Sequence, residues 1–391
     1  MEKKIGRREF VKLSKKKWPI LGFVLLAAAI GFLIFLSVPV VNEPEKNFDY
    51  LWQSFDRHYS NFGCKEIDWK ELYSCYRARI TPGTTNRELF EIMVDLLKHL
   101  DDKHVYIRRF NHVYFSGYDL SILNYLQILK FDFRLPLKEF SLNLIDRKYI
   151  KEKFKKALSV RQLLVPPFGF RHVIHYEWMD HGIAYMHISE MRQEKEKTVK
   201  AINKILGYFN EARAYIIDIR DNIGGYAGPI KESLVKKFVD RRRLWALSYT
   251  RSGPAHTDFS QPEQKFIDPD GDKDLSDIPV VLLINKNTQS AAELLTMMMD
   301  VLPNVTIVGD TTMGIFSDTH VEKLPNGWEY RLSIMKTTNH EGVWLEGKGI
   351  DPDVFVKNTE DDIKQGGDKV LEKAIDLVVS RLLPKNGSNA S

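Results

Sequence analysis

Cysteine is scarce in this sequence. The chain of 391 residues contains two, Cys64 and Cys75, and no Cys/His spacing typical of zinc surrounds them. A zinc site built from cysteines is therefore excluded. In an oxidising compartment a disulfide between the two would close a short loop and stabilise the fold by about 2–3 kcal/mol. Two buried free thiols on neighbouring helices are the alternative.

Glycine-rich phosphate loops of the Walker or dinucleotide-binding type are also absent. No other pattern in the chain indicates a metal or nucleotide site, so we expect no cofactor. A basic surface for nucleic acid is lacking too, although the formal net charge is +5. Residues 1–17 contain eight Lys/Arg and two Glu, which leaves a net charge of −1 for the remainder. The basic excess belongs to the N-terminal tail, and we predict no nucleic-acid partner.

The basic tail, residues 1–17, is followed by an apolar segment at 18–41 in which no residue is charged. At about 1.5 Å rise per residue this segment is long enough to cross the roughly 30 Å hydrocarbon layer of a bilayer. A cleaved signal peptide is the alternative, but the apolar stretch is long for one and no clear Ala-x-Ala site follows. The sequence predicts an uncleaved transmembrane signal anchor with its N-terminus in the cytoplasm. Everything after Asn42 would then lie outside the cell membrane.

Apolar residues recur at helical spacing between residues 44 and 100, which predicts a helical N-terminal domain at 42–103. Thr85 or Asn86 is a plausible N-cap within it. The stripes of aromatic residues and leucine are interpreted as core contacts. From Gly182 onward short apolar strands alternate with amphipathic helices, which is typical of an α/β or α+β fold with helices packed on a largely parallel or mixed sheet.

The elements predicted in this second part are strands at 183–188, 214–219, 279–284 and 304–308, helices at 193–211, 227–239, 289–301 and 368–383, and a β-hairpin at 317–335. Together they define a core domain at 181–384. It is followed by a flexible tail at 385–391. Active sites of such sheets lie beyond the carboxyl ends of the strands.

Two strand-to-helix corners stand at such ends. The run from Tyr215 to Tyr226 breaks at Gly224 and Gly225, where bare backbone N–H groups can approach a ligand. The run from Pro279 to Glu293 places Ser290 at the start of a helix. Either corner alone is an ordinary turn. An acyl-transfer enzyme needs at least a nucleophile, such as a serine, that faces amide hydrogen-bond donors.

At these corners the sequence resembles the tail-specific, carboxyl-terminal processing serine peptidases. Four segments carry the resemblance: Asp218-Ile-Arg-Asp-Asn-Ile-Gly-Gly225, Asn287-Thr-Gln-Ser-Ala-Ala-Glu293, Gly309-Asp-Thr-Thr-Met-Gly314 and Glu346-Gly-Lys-Gly-Ile-Asp-Pro-Asp353. The resemblance extends over roughly residues 45–380. It implies a crotonase-like (ClpP/crotonase) peptidase core. Many members insert a PDZ domain after the N-terminal helices, but the intervening region at 104–180 lacks its glycine-rich loop, so we predict that the domain is absent or too diverged to recognise.

The resemblance also implies roles for individual residues. Ser290 would be the nucleophile, with the N–H of Ala291 and that of Gly224 or Gly225 as the oxyanion hole. In the Ser-Lys branch of the family a lysine follows the glycine turn, but here that position is Ile315. An isoleucine cannot accept a proton, so a Ser-Lys dyad at this position is excluded.

The tricorn-like branch supplies the alternative base, His104. Glu346 would be an orienting or charge-stabilising carboxylate near it. Lys103 stands before His104 where relatives carry Gly or Ser, so the helper serine of that branch is missing. Asp101 or Asp102 is left to orient the imidazole.

Two functions follow as hypotheses. The first is a membrane-anchored serine peptidase that cleaves polypeptides outside the cytoplasmic membrane. In that case the hairpin at 317–335 could hold an extended substrate by strand addition. The second is a catalytically inactive relative that binds a peptide or an apolar ligand with the same fold. Ser290 favours the first hypothesis, whereas Ile315 and Lys103 favour the second.

Overall fold

The computed structural model describes residues 43–109, 112–116, 174–191, 195–271, 274–359, 361–362 and 365–382. Several predicted features lie outside these residues: the basic tail at 1–17, the membrane span at 18–41, most of the intervening region without a PDZ domain, and the tail at 385–391. Within the described ranges, no helix combines the length and the apolar character needed to cross a membrane.

The described helices are α1 (Pro44–His58), α2 (Trp69–Arg77), α3 (Asn86–Lys98), α4 (Lys195–Tyr208), α5 (Gly228–Ser233), α6 (Ala291–Asp300) and α7 (Lys369–Leu382). Short 3₁₀ turns occur at Asn61–Cys64, Asp180–Gly182 and Val235–Phe238. The described strands are β1 (Tyr106–Arg109), β2 (His112–Phe115), β3 (Ile174–Met179), β4 (Ile183–Ile188), β5 (Ala214–Asp218), β6 (Arg243–Thr250), β7 (Glu263–Ile267), β8 (Val280–Ile284), β9 (Val305–Gly309), β10 (Thr319–Lys323), β11 (Glu329–Ser333), β12 (Met335–Asn339) and β13 (Val354–Phe355).

The N-terminal helices form as predicted, and Thr85 is the N-cap of α3. Its hydroxyl accepts from the N–H of Glu88, whose carboxylate accepts from the N–H of Thr85, which completes a capping box. The apolar faces of α1 to α3 do not close a core by themselves. Strand β1 and the β10–β11 hairpin pack against them, and Tyr330 and Leu332 are fully buried in the shared cluster. Residues near the C-terminus thus complete the core of the N-terminal helices.

The main sheet has the strand order β13-β9-β8-β5-β4-β3 in the described residues. Its strands run parallel except for β3, which pairs antiparallel with β4 at the edge. One face of the sheet packs against α4 and α6, and the other packs against α7. Because strands covered on both faces are largely apolar, β4, β5 and β8 appear as short apolar runs in the sequence, with His187 in β4 and Asp218 at the end of β5 as exceptions. The predicted α/β or α+β class is confirmed as a mixed α/β fold with N-terminal helices.

Two antiparallel sheets flank this core. The first has the order β10-β11-β1-β2 and contains the predicted hairpin, and the second has the order β12-β6-β7. Strands β6 and β7 were not predicted from the sequence. The helix predicted at 227–239 is wrong in its second half, because the chain leaves α-helical geometry at Leu234 and tightens into a 3₁₀ turn.

Cys64 and Cys75 are free thiols. The disulfide alternative is therefore wrong, and so is the expected burial of the thiols, since both residues are exposed. Cys64 lies in a 3₁₀ turn, where its Sγ donates to the carbonyl of Asn61 at 3.1 Å. Cys75 lies on an exposed position of α2.

Candidate active site

The two corners singled out from the sequence lie side by side. Strands β5 and β8 pair in parallel, so their carboxyl ends share one edge of the main sheet. Beyond that edge the carboxylate of Asp221 accepts hydrogen bonds from the side-chain amides of Asn285 and Asn287, at 3.1 and 2.7 Å. The N–H of Gln289 donates to the carbonyl of Asn222 at 2.9 Å. These bonds fasten one corner to the other.

Gly224 packs directly against the candidate nucleophile. A Cβ at this position would lie 2.8 Å from Ser290 Cβ and 2.9 Å from the nitrogen of Ala291, and the backbone φ is +90°. Only glycine combines this backbone conformation with so close an approach. The N–H of Gly224 donates to Asn222 Oδ1 at 2.8 Å. Of the two glycines predicted as oxyanion donors, Gly224 is therefore already engaged and has a shaping role.

Gly225 and Ala291 remain as donors. In the described part of the chain the N–H of neither residue is engaged in a hydrogen bond. Ala291 is the first residue of α6, where an N–H has no acceptor within the helix. Both groups therefore remain able to bind an oxyanion beside Ser290.

Ser290 adopts a backbone conformation that is rare outside glycine, with φ of 54° and ψ of −121°. Non-glycine residues held in this way occur mainly where the surrounding structure enforces the geometry, as it often does at active sites. Here the enforcing group is Glu293, whose carboxylate accepts from the N–H of Ser290 at 3.0 Å. The Ser290 side chain is turned toward His104.

Glu293 holds the nucleophile corner together. Its buried carboxylate also accepts from the hydroxyl of Thr312 and from the N–H groups of Gly314 and Ile315, at 2.6, 2.6 and 2.8 Å. Burial raises the pKa of Glu293, and these hydrogen bonds oppose the rise. No role was predicted for Glu293, although its place three residues after Ser290 is a capping-box signature.

His104 faces Ser290 across a short gap. Its Nε2 lies 3.3 Å from Ser290 Oγ, although 186 positions separate the residues in the chain. Burial lowers the pKa of His104 to about 4, the nearby Asp102 carboxylate opposes this, and Arg331 adds to it. The imidazole is therefore neutral at pH 7 and able to accept a proton. Its Nδ1 is buried and has no hydrogen-bond partner among the described residues.

Asp102, not Asp101, supports His104, and it does so through the backbone. Its Oδ1 accepts from the N–H of His104 at 2.8 Å. Its Oδ2 accepts from the side chains of Tyr59, Asn61 and Ser333, at 2.8, 3.2 and 2.9 Å. The carboxylate thus fixes the main chain that carries the base, and it makes no hydrogen bond to the imidazole ring.

Glu346 lies beside this network and makes no hydrogen bond to Ser290 or His104. Its Oε2 accepts from the N–H of Phe316 at 2.9 Å and lies 3.2 Å from Ser317 Oγ. Ser317 in turn contacts Asn61, which donates to Asp102. Burial, followed by the charge of Asp102, raises the pKa of Glu346 to about 8. Glu346 is therefore mostly protonated at pH 7, and it reaches the base through this chain of hydrogen bonds.

No lysine occupies the position that carries the base in the Ser-Lys branch of the family. Ile315 occupies this position and is buried, and its backbone N–H donates a hydrogen bond to the Glu293 carboxylate. Lys336 lies elsewhere, with its Nζ 4.5 to 5.3 Å from the ring centroids of Tyr249, Phe259 and Trp344. Over the described ranges, no group of three or more His, Cys, Asp or Glu side chains could hold a metal ion.

Comparisons with known proteins agree with this geometry. Residues 182–356 match peptidase family S41, and residues 41–98 match the tricorn protease C1 domain. The carboxy-terminal processing proteases CtpB and CtpA of Bacillus subtilis (strain 168) are 25% and 24% identical over 46% and 50% of this chain. The matched segments span 35% and 39% of the two relatives' own lengths.

A solved structure is similar over a longer stretch. It is a candidate peptidase from Parabacteroides merdae, 26% identical, with a TM-score of 0.69 over 89% of this chain and 99% of that protein. The family resemblance inferred from the four sequence segments is therefore confirmed: this chain is similar to the tail-specific, carboxyl-terminal processing peptidases of family S41, which are serine-type hydrolases.

Proposed function

We propose that this chain is a serine peptidase that hydrolyses peptide bonds in polypeptides, with Ser290 as nucleophile and His104 as general base. The observation that carries the proposal is the 3.3 Å approach of His104 Nε2 to Ser290 Oγ at the N-terminus of α6. A hydroxyl needs a base within hydrogen-bond reach to attack a carbonyl at neutral pH. The proposal also includes the crotonase-like peptidase core that the family resemblance implies.

The chemical steps follow from the contacts. His104 Nε2 takes the proton of Ser290 Oγ as the oxygen bonds to the carbonyl carbon of the scissile peptide. The negative charge that forms on the carbonyl oxygen is met by the N–H groups of Gly225 and Ala291 and by the positive end of α6. His104 then gives its proton to the departing amine, the C–N bond breaks, and an acyl-enzyme remains. A water molecule, deprotonated by the same nitrogen, then attacks the acyl carbon, the bond from that carbon to Ser290 Oγ breaks, and His104 returns the proton to Oγ as the acid leaves.

Asp102 and Glu346 act behind the base in this proposal. The Asp102 carboxylate favours the imidazolium that forms in the transition state, since it raises the pKa of His104. Glu346, largely protonated at pH 7, is a hydrogen-bonding member of the network around Asp102.

A non-catalytic binding module is the second candidate. It is favoured by one observation: His104 Nδ1 has no partner within the described residues, whereas a catalytic imidazole is usually oriented through this nitrogen. In this case the corner glycines and the serine would bind a peptide without cleaving it.

Labelling with a fluorophosphonate probe separates the two candidates. The full-length protein, purified in mild detergent, is compared with Ser290→Ala, His104→Ala and Ser380→Ala, the last an exposed control on α7. We expect covalent labelling of the wild type and of Ser380→Ala, none of Ser290→Ala, and a rate reduced roughly 10²–10⁴-fold in His104→Ala. A folded wild type that stays unlabelled would favour the binding module.

The proposed location is the outer side of the cell membrane, with residues 18–41 as a single-pass anchor and the N-terminus in the cytoplasm. The proposal rests on the uncharged apolar segment and the basic tail before it. Protease treatment of intact cells carrying tags at both ends provides the test. A C-terminal tag that is degraded while the N-terminal tag is protected is the expected result. A mature protein that begins after residue 41 would show a cleaved signal peptide instead.

A further inference from the structure

The β6–β7 loop, residues 251–262, packs against the C-terminal end of α1. Arg251 is the first residue after β6, and its Nη1 donates to the carbonyl of Tyr59 at 3.1 Å. Its Nη2 donates to the carbonyl of Gly253 within the loop at 3.3 Å. The guanidinium therefore joins the loop to a residue 192 positions earlier in the chain.

His256 makes the second contact of the β6–β7 loop with the N-terminal helices. Its Nε2 lies 2.9 Å from Asp56 Oδ1, and its ring is stacked on that of Phe62 with the centroids 4.0 Å apart. Asp56 lies near the end of α1, and Phe62 is buried beyond it. The loop thus contacts the chain on both sides of Tyr59.

The β6–β7 loop is ordered by its own hydrogen bonds. The N–H of Ser252 donates to the carbonyl of Asp258 at 3.1 Å, and the carboxylate of Asp258 accepts from the N–H of Ala255 at 2.8 Å. Arg251 also pairs with Phe259 in an antiparallel bridge. Because these bonds already order the loop, less conformational entropy is lost in its contacts with the helices.

The segment that the loop contacts carries two of the groups that bind Asp102. The Tyr59 hydroxyl and the Asn61 amide donate to Asp102 Oδ2 at 2.8 and 3.2 Å. Asp102 Oδ1 in turn accepts from the N–H of His104. Tyr59 therefore takes part in two contacts, since its carbonyl accepts from Arg251 and its hydroxyl donates to Asp102. A continuous series of contacts connects the β6–β7 loop to the base.

The charge of Arg251 suits its place at the end of α1. The last carbonyls of a helix lack donors within the helix and carry partial negative charge. Tyr59 is the C-cap of α1, and the guanidinium satisfies its carbonyl. Burial lowers the pKa of Arg251, and the carboxylates of Asp56 and Asp258 oppose this. A variant without the guanidinium would leave the main chain of Tyr59 without this donor.

We propose that Arg251, assisted by His256, is a positioning residue for the base His104. It acts through the segment around Tyr59 and through Asp102. The inference rests on the proposed peptidase function, since it concerns the base of that reaction. Neither loop residue touches the reacting atoms, so the rate of the chemical step should respond to their loss while binding at the site should not.

Kinetics of fluorophosphonate labelling test this role in the full-length protein. Arg251→Met should lower the maximal labelling rate about tenfold and change the probe concentration at half-maximal rate less than about twofold. Arg251→Lys keeps a donor for the Tyr59 carbonyl and should recover most of the rate. His256→Ala, which keeps the guanidinium, should lower the rate about threefold. Arg242→Met is the control, because this guanidinium lies over the Phe266 ring next to the start of β6, and its rate should equal that of the wild type.

The effect of Arg251→Met should depend on Asp102. In Asp102→Asn the side chain presents an amide to the donors of Tyr59 and Asn61, so the connection to the base is already broken. Arg251→Met added to this variant should lower the labelling rate less than about twofold further. A further loss of about tenfold, or an unchanged rate in Arg251→Met alone, would overturn the proposal while the peptidase function stands.

Hydrogen exchange distinguishes failure of this inference from failure of the peptidase proposal, because it needs no catalysis. When Arg251→Met is added to Ser290→Ala, the N–H of His104 should exchange about tenfold or more faster, and the amides of α7 should exchange as before. This result would support the positioning role even if the wild type reacts with no probe. Unchanged exchange at His104 would count against it. Faster exchange throughout the chain, α7 included, would show that the guanidinium stabilises the whole fold, and that outcome would also overturn the proposal.

Discussion

Ser290 and His104 approach each other to 3.3 Å, yet the two are held in different ways. The serine lies in a corner where the N–H of Ser290 donates to the Glu293 carboxylate and the preceding N–H, of Gln289, donates to the carbonyl of Asn222. The histidine is held by its main chain through Asp102 and Arg331, and among the described residues its Nδ1 has no partner. The nucleophile is thus fixed by local hydrogen bonds, and the base by the packing of distant segments.

The largest expected effect concerns the core beneath the nucleophile corner. Arg220 is buried between Asp218 and Asp368, with hydrogen bonds of 2.6 to 3.0 Å to their carboxylates, and so joins β5 to the start of α7. Arg220→Leu would leave two buried carboxylates unpaired and should lower the free energy of unfolding by about 3–5 kcal/mol. Denaturant unfolding measures it. Arg87→Leu, which breaks an exposed pair with Glu91, should leave the free energy of unfolding almost unchanged. Equal losses of unfolding free energy in the two variants would show that the buried ion pairs of Arg220 stabilise the fold no more than the exposed pair does.

Gly224→Ala is expected to have the next largest effect. The added Cβ would collide with the Ser290 corner at 2.7 to 2.9 Å, and the positive φ disfavours alanine. We predict a fall in kcat of about 100-fold or more, the size expected when an oxyanion site is displaced. Gly207→Ala on α4 meets no atom within 4 Å and should leave kcat unchanged. If Gly224→Ala retains the kcat of the wild type, the Ser290 corner can deform to accept the added Cβ. The local hydrogen bonds would then not fix the nucleophile as described above.

Asp102→Asn probes the base side. The amide keeps the size of the side chain but removes the charge that raises the pKa of His104. We expect kcat/KM to fall by roughly tenfold at pH 7, because the imidazolium of the transition state loses its nearest carboxylate. The pH dependence of kcat/KM should show the change in the pKa of His104. Wild type should lose activity only as pH falls toward about 4, and the variant at still lower pH. An acid limb near pH 6.5 in wild type would contradict this account.

Glu346→Gln should have the smallest effect on activity. Because the pKa of Glu346 is about 8, glutamine replaces a carboxyl group that is already mostly neutral at pH 7, and kcat should change less than about twofold. Stability should respond to pH instead. From about pH 4.5 to about 8 the unfolded chain loses this proton while the folded protein keeps it, so wild type loses stability as pH rises. The variant should lack this contribution. Unfolding at pH 5.5 and 8.5 measures the difference.

The difference between the local support of Ser290 and the distant support of His104 explains which parts of the site could be predicted from the sequence. The Ser290 corner is shaped by residues within a few positions of two strand ends, so its motifs predicted both the strands and the close approach of Gly224 to Ser290 and Ala291. The support of His104 is not local. Asp102 receives hydrogen bonds from residues 41, 43 and 231 positions away, and no pattern in one sequence encodes such contacts. The direct role expected of Glu346 was inferred from its motif, which does not show that Phe316 and Ser317 engage its carboxylate.

The shared core of the N-terminal helices has a consequence for the timing of activity. Strand β1, which follows His104 directly, pairs with β11, and Arg331 binds the carbonyl of His104. A ribosome that has already made the nucleophile corner must still add some forty residues before the base has its supports. We therefore expect the nascent chain to remain proteolytically inert until late in synthesis. Under the proposed peptidase function, the order of the segments along the chain would then delay activity until synthesis is nearly complete, as a removable propeptide delays it in other proteases.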